Sequence, residues 1–538
     1  LELENYSFDE LELSTLFTTF VNDFEKLAHY YNGNPFKNEE ICKRADSFRF
    51  HGDRANIVNA LTSFNNQFDP PEPVQNNLKR LKDERSLAVV TGQQVNLYGG
   101  PLYTVFKTIT AIHHARKMEE QLQRPVVPVF WLGDEDHDYD EIKSVAFPRR
   151  NNITSFSYES PVKAPYAVSE ITFDDTYGDF RNSVFETMRT TDFTKKLWNM
   201  LDDCYKEGAT FGQAFGRLMT RLFGQHGLVL AGSHDVELKK YLSDALCTAI
   251  QKADQISERL NEQSEKVDDE FHQQVKLYDS NLFYHDAQKG RVKMKYNSGS
   301  WSYNEQTWTS DELVDKIREK PEKFSPNVFL RPILQDKLLP TIGYVGGPGE
   351  VAYYAQMKKI YEVFDLQMPI IFPRFSGTLI ESSIERIMKK LPFEFKDYNQ
   401  RIEDLESAYV EQAEDVDIEK LFGQWKGEVQ QMEDRYSEII KEIDPTLKKA
   451  AGKATAAYYN ELDKLKGKVH RATKKQEEIQ LNRIRKIREQ LFPGDGLQER
   501  SISFIYFLNK YGLDLWDQIL EQLDDQEHAF HEHKLIYL

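Results

Sequence analysis

Up to about residue 85 the apolar side chains recur at three- and four-residue intervals, with Leu11, Leu16, Phe17, Phe20, Phe24 and Leu27 on one face, which predicts packed helices. Pro70, Pro71 and Pro73 interrupt that spacing. From Leu87 to Val90 the run is continuously apolar, as in a strand buried on both faces. A polar turn, Gly99, Gly100 and Pro101 follow, and the spacing is helical again from Leu102 to Gln121. Proline's fixed φ and missing N–H suit a first helical position. Taken alone, such a corner is an ordinary strand-to-helix turn, or a place where bare N–H groups and a helix dipole receive an anion such as phosphate. A second copy shifts the balance to the anion: an apolar run from Leu339 to Val345 meets Gly346, Gly347 and Pro348, with a helical pattern from Val351 to Phe364.

Between the two corners, Pro125 to Gly133 is another buried-strand run, and it ends in Asp134-Glu135-Asp136-His137-Asp138. Strand, helix, strand makes a right-handed βαβ unit with both strand ends on one edge. The core resumes at Gly227 to Asp235, and Val328 to Leu334, Leu339 to Val345 and Met368 to Phe372 read as the last strands. The predicted division is a first core part with N-terminal helices (1–150), an insertion (151–210), core (211–255), a second insertion (256–325), core (326–385), an antiparallel helical coiled coil (386–492) and a tail packing back on the core (493–538). In the coiled coil, Trp425, Val429, Met432, Tyr436, Ile439 and Ile443 follow heptad spacing, continued by Leu462, Leu465, Val469 and Ala472. A second helix from Thr446 to Phe492 would be about 70 Å long. It therefore projects and pairs with another copy. The fold class is α/β: an open parallel sheet whose ligands collect at the carboxyl ends of its strands, near both corners.

Composition narrows the function. Of 538 residues, 69 are basic and 87 acidic, a net charge of −18 that disfavours a general nucleic-acid binder. The three cysteines, Cys42, Cys204 and Cys247, lie far apart, which fits a reducing, cytoplasmic setting and neither a disulfide framework nor a cysteine zinc site. No apolar run is long enough for a membrane span.

The strongest chemical signal is the acidic cluster after the second strand. Its readings are a solvated loop, a metal site, or a place where Asp134, Asp136 or His137 orients a substrate amine or takes its proton. Thr91, Gln93 and Gln94 at the first strand's end offer hydroxyl and amide groups to a polar substrate, or simply form the turn. Lys107 reads by default as a surface lysine, and His113 and His114 as structural. Arg374 and Ser376 stand where they would meet a phosphate from the opposite side. Gln498, Arg500, Tyr506 and Lys510, after the Gly-rich turn at 493–496, form a candidate second ligand site or close the long helix and dock the tail.

Read together, Thr91-Gly-Gln-Gln with Gly99-Gly-Pro-Leu-Tyr-Thr-Val-Phe-Lys107, Trp131-Leu-Gly-Asp-Glu-Asp-His-Asp138, Gly343-Tyr-Val-Gly-Gly-Pro-Gly-Glu350, Phe372-Pro-Arg-Phe-Ser-Gly-Thr378 and Leu497-Gln-Glu-Arg500 resemble the BshC family, in particular its Bacillus-type members, over the whole chain. The resemblance implies the cysteine-adding ligase of bacillithiol synthesis, which joins L-cysteine to the amine of glucosaminyl malate through a cysteinyl adenylate. It implies a Rossmann-like core similar to class I aminoacyl-tRNA synthetases (HUP type), a coiled-coil homodimer and ATP or ADP as ligand. By the same analogy Gly99 and Gly100 stand where the H-I-G-H element holds phosphates, Gly346, Gly347 and Glu350 near the ribose, and Arg374, Ser376 and Thr378 at the K-M-S-K-S loop. The H-I-G-H histidines and the K-S pair themselves are missing, and no cysteine-containing zinc set like that of the mycothiol ligase is legible. Whether a metal takes part stays open. Two other readings remain: a non-catalytic nucleotide-binding coiled-coil dimer that regulates a partner, and a metal hydrolase built on the acidic cluster.

Overall fold

A computed structural model of the chain describes residues 1–136, 138–149, 152–160, 166–277, 280–413, 417–526 and 529–538. Its centre is a five-stranded sheet of β1 (Leu87–Gln94), β2 (Val126–Gly133), β3 (Val229–Gly232), β4 (Thr341–Gly346) and β5 (Ile370–Pro373), ordered β5-β4-β1-β2-β3 with every neighbouring pair parallel. That order is doubly wound, and strand succession reverses between β1 and β4. Leu87 to Val90 are wholly buried, as a sheet covered on both faces requires. Leu87, Val89, Ile342, Val345, Ile370 and Phe372 pack with Ala111, Ala115 and Met118 of helix α1 (Leu102–Leu122) and with Ile41 and Ala45 of an N-terminal helix.

The run from Val328 to Leu334 is a turn leading into a helix, not the strand its composition predicts. Helix α2 (Leu330–Leu338) starts where Asn327 Oδ1 accepts the N–H groups of Phe329 and Leu330, and Pro332 sits in its first turn, where proline is tolerated. Leu330, Ile333, Leu334 and Leu338 are buried at helical spacing, and a short apolar run does not by itself distinguish a buried helix from a strand. Helix α3 (Pro348–Tyr354) follows β4. The N-terminal region is not all helical either: Glu2–Tyr6 pairs antiparallel with His533–Tyr537, which also pairs in parallel with Gly377–Ile380. Within 256–325 and its border, two three-stranded antiparallel sheets form, one of Leu282–Asp286, Gly290–Lys293 and Phe324–Pro326, the other of Lys295–Asn297, Ser300–Tyr303 and Gln306–Thr309. The stretch 151–210 carries helices Tyr177–Thr187 and Thr194–Cys204.

The chain divides into two compact units, one of residues 1–147, 154–380 and 497–538, the other of 148–153 and 381–496. In the second unit, α4 (Ile418–Ile443) and α5 (Lys448–Leu491) form an antiparallel hairpin tied by Lys426–Asp463 and Lys448–Glu438 at 2.7 Å each and by Tyr459 Oη donating to the Lys426 carbonyl. The 44 residues of α5 give a length of about 66 Å. Most of the heptad seam faces away from this pairing: Trp425, Met432, Tyr436, Ile439 and Ile443 are exposed, while Phe422 and Leu462 are buried. Among the described residues no helix is long and apolar enough to cross a membrane.

Candidate functional site

A cavity of about 750 Å³ opens at the carboxyl ends of the sheet strands, at the reversal between β1 and β4. β1 delivers Gln93 and Gln94 to its wall, β2 delivers Gly133 and then Glu135 and Asp136, and β4 leads into Gly347, Pro348 and Gly349. Helix α1 contributes Tyr103 and Lys107, and α2 contributes Arg331. The second insertion supplies Phe283, Arg291 and Lys293, and Arg374 and Arg500 complete the cationic set. Six basic side chains against three acidic ones line this space in an acidic protein.

The Lys107 to Glu350 pair anchors the wall. Lys107 Nζ lies 2.5 Å from Glu350 Oε2 and also donates to the Gly92 carbonyl at 2.8 Å and Gln93 Oε1 at 3.1 Å. Glu350 accepts from Tyr344 Oη at 2.7 Å and from the Gly347 N–H at 2.8 Å, which caps α3. Burial pushes the Glu350 carboxyl up, but the Lys107 charge and these donors outweigh it and hold the group below its ordinary value. Burial pulls Lys107 down, against the pull of Glu350. Arg331 extends the network, donating to Tyr344 Oη at 3.4 Å and Tyr353 Oη at 3.1 Å.

The acidic cluster diverges, with Asp134, Glu135 and Asp136 each finding a different partner. Asp134 turns away from the cavity and is buried, accepting from Ser233 Oγ at 2.8 Å and the His234 N–H at 2.9 Å, with its carboxyl pushed up to about 6 by burial. Its bonds make it a brace for the turn after β3, outside the lining that a catalytic role would need. Glu135 pairs with buried Lys239. Asp136 does face the cavity, aimed by Gln94 Nε2 at 2.9 Å and Arg291 Nη1 at 3.3 Å. His137 lies outside the described residues. Among the described residues no group of three His, Cys, Asp or Glu side chains is placed to hold a metal ion. Arg291, stacked 3.8 Å from the Phe283 ring centroid, also donates to Ser325 Oγ and the Pro326 carbonyl.

The remaining candidates divide. Gln93 and Gln94 line the cavity, whereas Thr91 is buried beneath them and ties β1 to β4 by donating to the Val345 carbonyl at 3.0 Å. Gly347 and Glu350 line it, with Gly346 behind them, where an added Cβ would stand 2.9 Å from that of Glu350. Gly99 and Gly100 are absent from the lining. Both have φ +80°, a Cβ on Gly99 would meet the Phe504 ring at 2.4 Å, and the Leu102 N–H donates to the Ile502 carbonyl, so this corner seats the C-terminal tail and its amides are turned to packing. Arg374 reaches the cavity but is held by Glu499 Oε1 at 2.5 Å. Ser376 is buried between Glu499 Oε2 and His533 Nδ1, outside the cavity lining. Gln498 exchanges two 2.9 Å bonds with the Leu379 backbone, and Lys510 donates to Tyr506 Oη at 2.7 Å. Of that proposed second site only Arg500 lines the cavity. Arg331, Tyr344, Tyr103, Arg291, Phe283 and Lys293 are site residues that sequence reasoning missed.

Comparison with known proteins agrees with this architecture. Residues 1–375 match the family model of the bacillithiol biosynthesis BshC N-terminal Rossmann-like domain, and residues 377–538 that of the BshC C-terminal coiled-coil domain. Relatives named "Putative cysteine ligase BshC" include that of Salinibacter ruber, 33% identical over 522 residues with 96% of this chain and 94% of the relative covered. The Chlorobaculum tepidum relative is 32% identical, covering 98% and 95%, and a Bacillus cereus relative 31%, covering 87% and 88%. A solved structure described as a putative arginyl-tRNA synthetase from Campylobacter jejuni aligns over 81% of this chain and 96% of its own at 9% identity and a TM-score of 0.23, too slight a likeness to build on. With both family models together spanning nearly every residue, the chain belongs to the BshC family of bacillithiol biosynthesis.

Proposed function

We propose that the carboxyl-end cavity joins L-cysteine to the amine of glucosaminyl malate with consumption of ATP, through a cysteinyl adenylate. The observation that carries this reading is the sign of the cavity: it collects Lys107, Arg291, Lys293, Arg331, Arg374 and Arg500 against Glu135, Asp136 and Glu350, in a chain of net charge −18. Such a wall suits phosphates and the carboxylates of cysteine and malate. The family's place in bacillithiol biosynthesis and the relatives' cysteine-ligase name support cysteine as one substrate, and glucosaminyl malate is what the sequence resemblance implies.

In the first step a cysteine carboxylate oxygen bonds to the α-phosphorus of ATP and pyrophosphate leaves. In the second the sugar amine attacks the acyl carbon, a C–N bond forms, and AMP departs with the carboxylate oxygen. No protein nucleophile is required; positioning and charge neutralisation do the work. Gly347 and Gly349 let the nucleotide approach the backbone, Arg331 and Arg500 meet negative charge, and Glu350 holds Lys107 and the corner in register. Asp136, aimed by Gln94 and Arg291, orients the amine and takes its proton, with His137 beside it in sequence as the other candidate. The same reading pairs two chains through the exposed seam Trp425, Met432, Tyr436, Ile439 and Ile443, in a cytoplasmic setting.

Incubation of the full chain with ATP, cysteine and glucosaminyl malate, with mass detection, is expected to yield the condensed thiol and AMP. Asp136→Asn is expected to slow this by about 100-fold or more. A folded protein that forms no condensed thiol would refute the proposal.

A further inference from the structure

A second cavity, about 590 Å³, opens at the other end of the sheet, beside Thr341 at the start of β4 and Leu366 and Gln367 ahead of β5. Arg44 lines it and is only 7% exposed. Its Nη2 donates to the Gln367 carbonyl at 3.2 Å and its guanidinium stands 5.1 Å over the Phe48 ring, but the buried Nε has no hydrogen-bond partner among the described residues. A buried donor with nothing to receive it is costly unless water or a ligand supplies an acceptor. Asp336, equally buried, lines the same space, and burial holds the Arg44 pKa down to about 10 with the nearby Asp336 charge only partly opposing it.

The charge balance selects the ligand. Arg49, Lys240 and Lys337 on the wall are matched by Asp53, Asp244 and Asp365, so a polyanion would meet as much repulsion as attraction. A molecule with one carboxylate and one ammonium satisfies both kinds of group, the carboxylate matching the fork of a guanidinium.

The two cavities are also joined. Arg331, in the first cavity, donates to Gln335 Oε1 at 3.2 Å, and Gln335 Nε2 donates to Asp336 Oδ1 at 3.0 Å, in the second. All three residues lie on α2, and Tyr361 Oη fixes the other Asp336 oxygen at 2.7 Å. We propose that the amino-end cavity binds a small α-amino acid, its carboxylate on Arg44 and its ammonium on Asp336, and that occupancy is transmitted along α2 to Arg331. The binding stands independently of the ligase reading; the transmission rests on that reading's assignment of ATP to the first cavity.

The test is calorimetric titration of the full chain with each common L-amino acid other than cysteine, with acetate and methylamine as single-charge controls. At least one amino acid is expected to bind, at least tenfold more weakly to Arg44→Gln, and neither control is expected to match it. Arg44→Lys, which keeps the charge without the fork, serves if Arg44→Gln does not fold, with several-fold weaker binding expected. The bound amino acid is expected to change the ATP affinity of the wild type, and Gln335→Met to remove that change while retaining amino-acid binding. Binding by none of them, or with equal affinity in the Arg44 variants, overturns the site. An ATP affinity indifferent to the bound amino acid overturns the transmission. Failure of ligation alone would leave the amino-acid titrations intact.

Discussion

The two Gly-Gly-Pro corners share a sequence pattern and differ in what they do. At the first, Gly99 and Gly100 both take φ +80° and the space of a side chain on Gly99 is filled by Phe504, so glycine is required for backbone conformation and close packing. At the second, Gly347 has φ −76°, open to any residue, and stands beside Arg374 and Glu350 at a cavity wall. Glycine there leaves room. One pattern thus serves a buried joint and an open cavity wall, and the neighbours decide which.

Replacing the anchor of the second corner is expected to have the largest effect. Glu350→Gln leaves Lys107 buried without its counter-charge, at a cost of about 3–5 kcal/mol in denaturant unfolding, most of it recovered by adding Lys107→Met. Because the folded Glu350 pKa lies below its ordinary 4.5, the carboxylate's contribution is fully present above that pH and fades as pH falls through the folded value. The wild-type advantage over Glu350→Gln is therefore expected to shrink in acid below pH 4.5.

Gly99→Ala comes next, at roughly 2–3 kcal/mol from positive φ and the Phe504 clash, with the ATP affinity of the folded protein unchanged by calorimetry. Gly347→Ala inverts that result: stability within about 1 kcal/mol of wild type, since only a 3.2 Å approach to Arg374 Nε must relax, and ATP affinity about tenfold weaker. The smallest effect on either corner is expected from Met432→Glu with Ile439→Glu, which should convert the proposed dimer to a monomer by analytical ultracentrifugation without shifting the ATP titration.

The parallel strands were legible because a doubly covered sheet demands unbroken apolar runs, as at Leu87 to Val90. Val328 to Leu334 misled for the same reason, since a buried helix is equally apolar, and with it Arg331 was lost from the site. Gln93, Gln94, Gly347 and Asp136 were legible from their places at strand ends, and Glu350 only through the family resemblance. Arg291 was not, because its partner Asp136 lies 155 residues away, nor was the burial of Ser376 under Glu499, 123 residues on. Lys107 was discounted as a surface lysine, although Val105, Phe106, Thr108 and Ile109 around it are all buried, and a lone charge in such a stretch is the signal that would have marked it.

Amide hydrogen exchange with and without ATP and cysteine compares the corners within one sample. The expected result is added protection at 346–351 and 92–94 with none at 97–102. Protection at the first corner instead, or at neither while the ligands are bound, would contradict the assignment of the carboxyl-end cavity as the reaction site.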